Sequence, residues 1–117
     1  MRGLVFRFVR ASYYEQYLPK TSSLQTELDA VFSVLEVIAQ PSGTASPERP
    51  EVGKTIWRNI ADLTHLTYYF QSQHQRQLIS ATLAKFNFNE GAPIAEFDPK
   101  NHSTLTGDVS DFFKAAS

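Results

Sequence analysis

Acyl transfer, proton transfer and metal chemistry all need particular side chains, and this chain of 117 residues holds few arranged for any of them. It has no cysteine, which excludes a thiol nucleophile, a disulfide and a thiolate metal site built from its own residues. His65, His74 and His102 lack a ligand spacing such as His-x-x-x-His, and the first two fall in expected turns. Asp62 and Asp98 read as turn formers, whose short carboxylates hydrogen-bond nearby backbone. Ser22 reads as a helix cap with no histidine partner, so no serine-hydrolase arrangement is visible. Arg7 and Arg10 lie in an amphipathic stretch, where an arginine head ordinarily reaches water. The residues call for no metal and no cofactor.

Charge and hydropathy narrow the partners. The 11 basic and 12 acidic residues leave a net charge of -1, with no basic block, so nothing points to nucleic acid or to an anionic membrane surface. No apolar run approaches the ~20 residues of a membrane span. The apolar opening meets Arg7 too early for a signal peptide. With 42% hydrophobic and 20% charged residues, the composition is that of a globular protein. The length fits one domain over residues 1–117 with one modest core.

Two helices are expected first. Phe6, Val9, Tyr13 and Tyr17 recur at spacings of three and four over residues 6–18, and Pro19 ends the pattern. Residues 23–39 form the clearer one. Leu24, Leu28, Val31, Phe32, Leu35 and Ile38 make an apolar stripe with Glu27, Asp29 and Glu36 off it. Ser22 and Gln25 have the spacing of a capping box. Residues 40–53, QPSGTASPERPEVG, read as a flexible surface loop.

From residue 54 the period becomes two. Ile56, Arg58 and Ile60 alternate with Thr55, Trp57 and Asn59, and Leu66, Tyr68 and Phe70 alternate with Thr67, Tyr69 and Gln71. Leu78 to Leu83 makes a third strand after a polar turn at Gln73 to Arg76, and Ile94 to Phe97 a short fourth. Asp108 to Ala115 is expected to form one or two helical turns gripped by Phe112 and Phe113. Helices followed by an antiparallel β-meander make the class α+β. Tyr68, Tyr69 and Phe70 load both faces of one strand with bulk, and the expected elements barely cover both. A layer supplied by an absent segment or a second chain is the physical expectation.

Several pieces, in order, carry a resemblance: Arg7-Phe8-Val9-Arg10-Ala11, then Thr55-Ile56-Trp57-Arg58-Asn59-Ile60-Ala61-Asp62-Leu63, Tyr68-Tyr69-Phe70, Ile79-Ser80-Ala81-Thr82-Leu83, and Phe86-Asn87-Phe88-Asn89-Glu90-Gly91. Over roughly residues 5–97 the chain resembles the last third of the choloylglycine hydrolases, which include penicillin V acylases and bile salt hydrolases. The resemblance implies one portion of the αββα sandwich of amino-terminal nucleophile hydrolases. It also implies linear amide cleavage through a thioester, with an amino-terminal cysteine as nucleophile and its own α-amine as base.

By the same resemblance Arg7 matches a family arginine near the nucleophile, which makes it the one candidate catalytic residue. A guanidinium there would lower a thiol pKa and hold charge developing in the transition state. Family members carry serine before that arginine, where this chain has Phe6. The cysteine and the remaining site residues belong to segments this chain does not contain, and Arg2 offers no substitute nucleophile. The expectation is therefore a carboxy-terminal fragment, inactive alone. Amide substrate would be engaged only in the complete enzyme, and the implied partner is an amino-terminal hydrolase segment or a second copy. The alternative is a non-catalytic interaction module. Trp57, Tyr68, Tyr69 and Phe70 could line an acyl or steroid pocket in a complete enzyme, but strand aromatics ordinarily pack in a core, and Tyr13, Tyr14 and Tyr17 are read the same way.

Overall fold

The computed structural model describes residues 2–39, 57–72 and 76–116. The proline-rich loop expected at 40–53, and most of the polar turn expected at Gln73 to Arg76, lie outside these residues. The chain forms two compact units, Met1–Thr55 and Ile56–Ser117.

The first unit is a pair of packed helices, α1 (Arg2–Glu15) and α2 (Leu24–Ile38). In α2 the expected stripe faces inward: Leu28 is buried, and Leu24, Val31, Phe32, Leu35 and Ile38 are half-buried. Its cap is Ser23, one residue later than expected. The Ser23 hydroxyl accepts from the Thr26 amide at 3.4 Å, satisfying one of the orphan donors of the first turn. Gln25 does not complete a capping box but donates to Asp29 at 2.9 Å, one turn on. α1 starts earlier than its apolar pattern and ends at Glu15, followed by a turn through Tyr17 ahead of Pro19. Arg10 reaches across from α1 to donate to the Val37 carbonyl of α2. The aromatic residues of α1 depart from expectation: Tyr13, Tyr14 and Tyr17 are exposed, with Phe8 and Val9. Spacing does not decide which face of a helix is covered.

The second unit is built on a meander of β1 (Trp57–Asp62), β2 (Thr67–Ser72) and β3 (Ile79–Thr82), paired antiparallel as expected. The β1–β2 hairpin turns at residues 63–66. Asp62 accepts there from the Thr64 and His65 amides, and Leu66 takes the left-handed conformation with φ 51°. Two features add to the meander. A short strand β5 (Gly107–Asp108) joins the outer edge of β3 in parallel, giving the sheet order β1-β2-β3-β5. Its Gly107 has φ +76°, a conformation costly for any side chain-bearing residue. Separately, β4 (Ala95–Glu96), within the fourth strand expected from the sequence, pairs with β6 (Lys114–Ala115). The terminal helix expected over Asp108 to Ala115 is instead a single 3-10 turn, Ser110–Phe112, between two short strands. Each of these strands takes its partner from a distant segment, which fixes an extended backbone on both sides of the turn.

Residues directly opposite in a ladder share a face. Trp57, Tyr68, Phe70, Ile79 and Ala81 therefore line one side of the sheet, with the Trp57 and Phe70 rings stacked 6.1 Å apart. Ile79 is buried and Phe70 half-buried, but Trp57 and Tyr68 are exposed, against the core packing expected of them. Alternation separated the two faces without indicating how far each would be covered. Phe97 and Phe113 stack at 5.4 Å, and Phe86 meets Phe113 edge-on at 4.8 Å. Among the described residues the buried apolar side chains are Leu28, Ile79 and Val109, against fifteen large apolar side chains that are exposed. That imbalance is what an apolar face awaiting cover produces.

Candidate functional site

Arg7 sits midway along α1 and is exposed. It lies one turn before Ala11, on a backbone whose hydrogen bonds are supplied by the helix itself. The geometry supplies a rigid mount for a guanidinium. No other residue was expected from the sequence at the site.

Two polar constellations emerge from the fold. At the β1–β2 hairpin, Asp62 Oδ2 lies 2.7 Å from His65 Nδ1. The amide and ring hydrogen bonds from His65 hold the Asp62 carboxyl below its ordinary pKa. This is the turn-forming role read for Asp62, with the histidine added to it.

The second constellation was not legible. Asp108 Oδ1 accepts from both the amide and the hydroxyl of Ser110, the latter at 2.5 Å. Asp108 Oδ2 accepts from Thr82 Oγ1 and Lys85 Nζ, each at 3.0 Å. Ser110, itself buried, accepts from the Thr82 amide at 2.8 Å. The partners stand 23 to 28 positions apart in sequence, so no spacing signals them. The Ser110 hydroxyl spends its proton on Asp108 and a lone pair on Thr82. It is a strap tying β5 to the end of β3; the basic group against it is Asp108, whose strongly lowered pKa makes it too weak a base to activate the hydroxyl as a nucleophile.

These bonds, led by those from Ser110, hold the Asp108 carboxyl far below its ordinary value of 3.8. A carboxylate whose folded pKa is depressed adds stability that is complete above the unfolded value and is lost as pH falls. Stability is therefore expected to decline with acidification below 3.8, and Asp108→Asn to flatten that decline. Urea unfolding midpoints of both proteins across the acid range check this. Parallel curves would show that the strap carries no such linkage.

Two open grooves lie in the second unit. One of about 270 Å³ is walled by Tyr68, Phe70, Ile79, Phe97, Pro99 and Phe113. The other, of about 600 Å³, runs past Lys85, Phe86, Phe88, Asn89, Ile94 and Phe113. Both are lined mainly by apolar groups. Among the described residues no set of three histidine, aspartate or glutamate side chains converges as a metal site, and no helix is long and apolar enough to cross a membrane.

Comparison with known proteins places the fold and the sequence together. The chain is 30% identical over 125 residues to a penicillin V acylase of Pectobacterium atrosepticum, an alignment covering 94% of this chain and 33% of that protein. Its structure superposes on that of a penicillin V acylase from Agrobacterium tumefaciens with a TM-score of 0.82 and 24% identity, covering 95% of this chain and 36% of that one. The chain thus spans about a third of the length of these relatives. Its α+β architecture is that of a portion of a penicillin V acylase fold. Residues 5–96 match the family of linear amide C-N hydrolases, choloylglycine hydrolase family, and the chain belongs to it.

Proposed function

We propose that this chain provides the carboxy-terminal portion of a linear amide C–N hydrolase of the penicillin V acylase kind and does not turn over substrate alone. One observation carries the reading: a cysteine-free chain matches, over residues 5–96, a family whose resemblance implies a cysteine nucleophile. Residues 1–117 would then form one part of a single hydrolase domain. An amino-terminal polypeptide would bring the thiol, its α-amine and the oxyanion donors. Arg7, on α1, would face the reacting centre, favouring the thiolate over the thiol and stabilising negative charge on the tetrahedral oxygen. Apolar side chains of the sheet and grooves, exposed here, would be covered in that assembly.

The test is reconstitution. The purified chain should show no hydrolysis of penicillin V, of an acyl-homoserine lactone or of a bile salt. Mixed with an amino-terminal family segment carrying the cysteine, it should restore amide cleavage. Turnover by the chain alone that disappears in Arg7→Ala would overturn the inactive-portion reading. The exposed aromatic surface favours a second reading, a non-catalytic interaction module. Tight binding to the amino-terminal segment without any turnover would select it.

A further inference from the structure

Val5, Val9 and Tyr13 recur every four residues along α1, with Tyr17 in the turn beyond its end, and each of the four has more than half of its surface exposed. With Phe8 on the flank they form an apolar ridge; half-buried Ala11 lies on the opposite side of the helix, while half-buried Ser12 lies between the ridge and Phe8. The tyrosines are already packed on one another, Tyr13 to Tyr14 at 5.3 Å and Tyr13 to Tyr17 at 5.1 Å. Ordering them on binding therefore costs little.

We propose that this ridge is the contact between two copies of the chain, with α1 packing antiparallel on α1 about a two-fold axis at Val9. Three arguments choose this occupant. A ridge of i±4 residues is self-complementary, because two such ridges interdigitate in the commonest helix-packing class. A two-fold contact requires the same surface on both partners, and positions 5 and 13 are symmetric about 9, so Val5 meets the partner's Tyr13. Charge then sets the direction. α1 carries arginines at positions 2, 7 and 10 and its one acid, Glu15, at the far end. A parallel pair would place position 2 beside position 2, whereas the antiparallel pair places it beside the glutamate end and opposes the helix dipoles. The area approaches that of a standard interface. With aromatic side chains offering ~150–250 Å² each, the five residues supply on the order of 500 Å², a large share of the ~800 Å² per partner in a standard interface. The pairing stands whether or not the chain also completes a hydrolase.

The absence of native cysteine makes a direct test available. Single-cysteine variants of the full chain would be oxidised mildly and read on non-reducing gels, beside sedimentation of the unmodified chain. Val9→Cys lies on the axis and should cross-link to a covalent dimer. Val5→Cys should not cross-link with itself, because its copies stand about 12 Å apart along the helices, beyond the ~7 Å reach of a disulfide. It should cross-link when mixed with Tyr13→Cys. Phe88→Cys, exposed but in the second unit, should give no covalent dimer. Circular dichroism confirms that each variant is folded. Cross-linking of Val5→Cys with itself in place of Tyr13→Cys would overturn the antiparallel register. Failure of Val9→Cys to cross-link, or an unmodified chain that sediments as a monomer at high concentration, would overturn the pairing and assign the ridge to a different polypeptide.

Discussion

In the reconstituted enzyme, Arg7→Ala is expected to lower kcat for amide cleavage roughly a hundredfold or more, the usual consequence of removing one donor from a developing oxyanion. Its side chain is exposed, so its contacts are screened by solvent and the substitution should leave stability within about 1 kcal/mol of the parent. That contrast separates a site residue from a structural one. The pH profile supplies a second contrast. A guanidinium beside a thiol favours the thiolate, so its loss should move the acid limb of kcat/KM to higher pH. Arg7→Lys keeps the charge but loses the planar fork, and should recover part of the rate. Equal turnover by Arg7→Ala and the parent, with the same pH profile, would remove Arg7 from the site and leave only the family assignment.

The largest expected stability effect belongs to Ser110→Ala. Ser110 is buried, and its hydroxyl stands between Asp108 and the Thr82 amide. Alanine would leave the Thr82 amide without its acceptor and take from Asp108 Oδ1 one of its two donors, the Ser110 amide remaining, a change costing ~2 kcal/mol. In a domain of this size that corresponds to a fall in Tm of roughly 10 °C, measured by thermal circular dichroism. Ser110→Thr keeps the hydroxyl and should recover much of the loss if the added methyl is accommodated. A shift in Tm below a degree or two for Ser110→Ala would mean that β5 is held by its ladder pairing alone.

The two experiments bear on different levels of the molecule, and those levels were unequally legible in sequence. α2 announced itself because its stripe, its cap region and the proline beyond it agree. The β1–β2 hairpin showed through because alternation over two six-residue strands outlasts local noise, and β3 because its run follows a polar turn. β5 could not show itself. Two residues carry no period, and the partners that hold Gly107 and Asp108 stand in β3 and just beyond it. The Asp108–Ser110–Thr82–Lys85 strap was hidden for the same reason, since side chains distant in sequence meet only once the chain is folded. The error over Tyr13, Tyr14, Tyr17, Trp57 and Tyr68 has a different origin. Periodicity sorts residues onto faces, but cover comes from neighbouring layers, and a sequence does not state how many of those its own chain supplies. Arg7 is proposed only through family resemblance, because an exposed arginine on a helix has no local signature of catalysis.

The late position of β5 has a consequence for synthesis. β3 leaves the ribosome some 25 residues before Gly107 and Asp108, which cap its outer edge. During that interval the nascent polypeptide presents a bare row of amides and carbonyls, the kind of template onto which stray strands add. Conditions that slow translation across residues 83–106 lengthen this window, and the yield of aggregate-free product should fall with them.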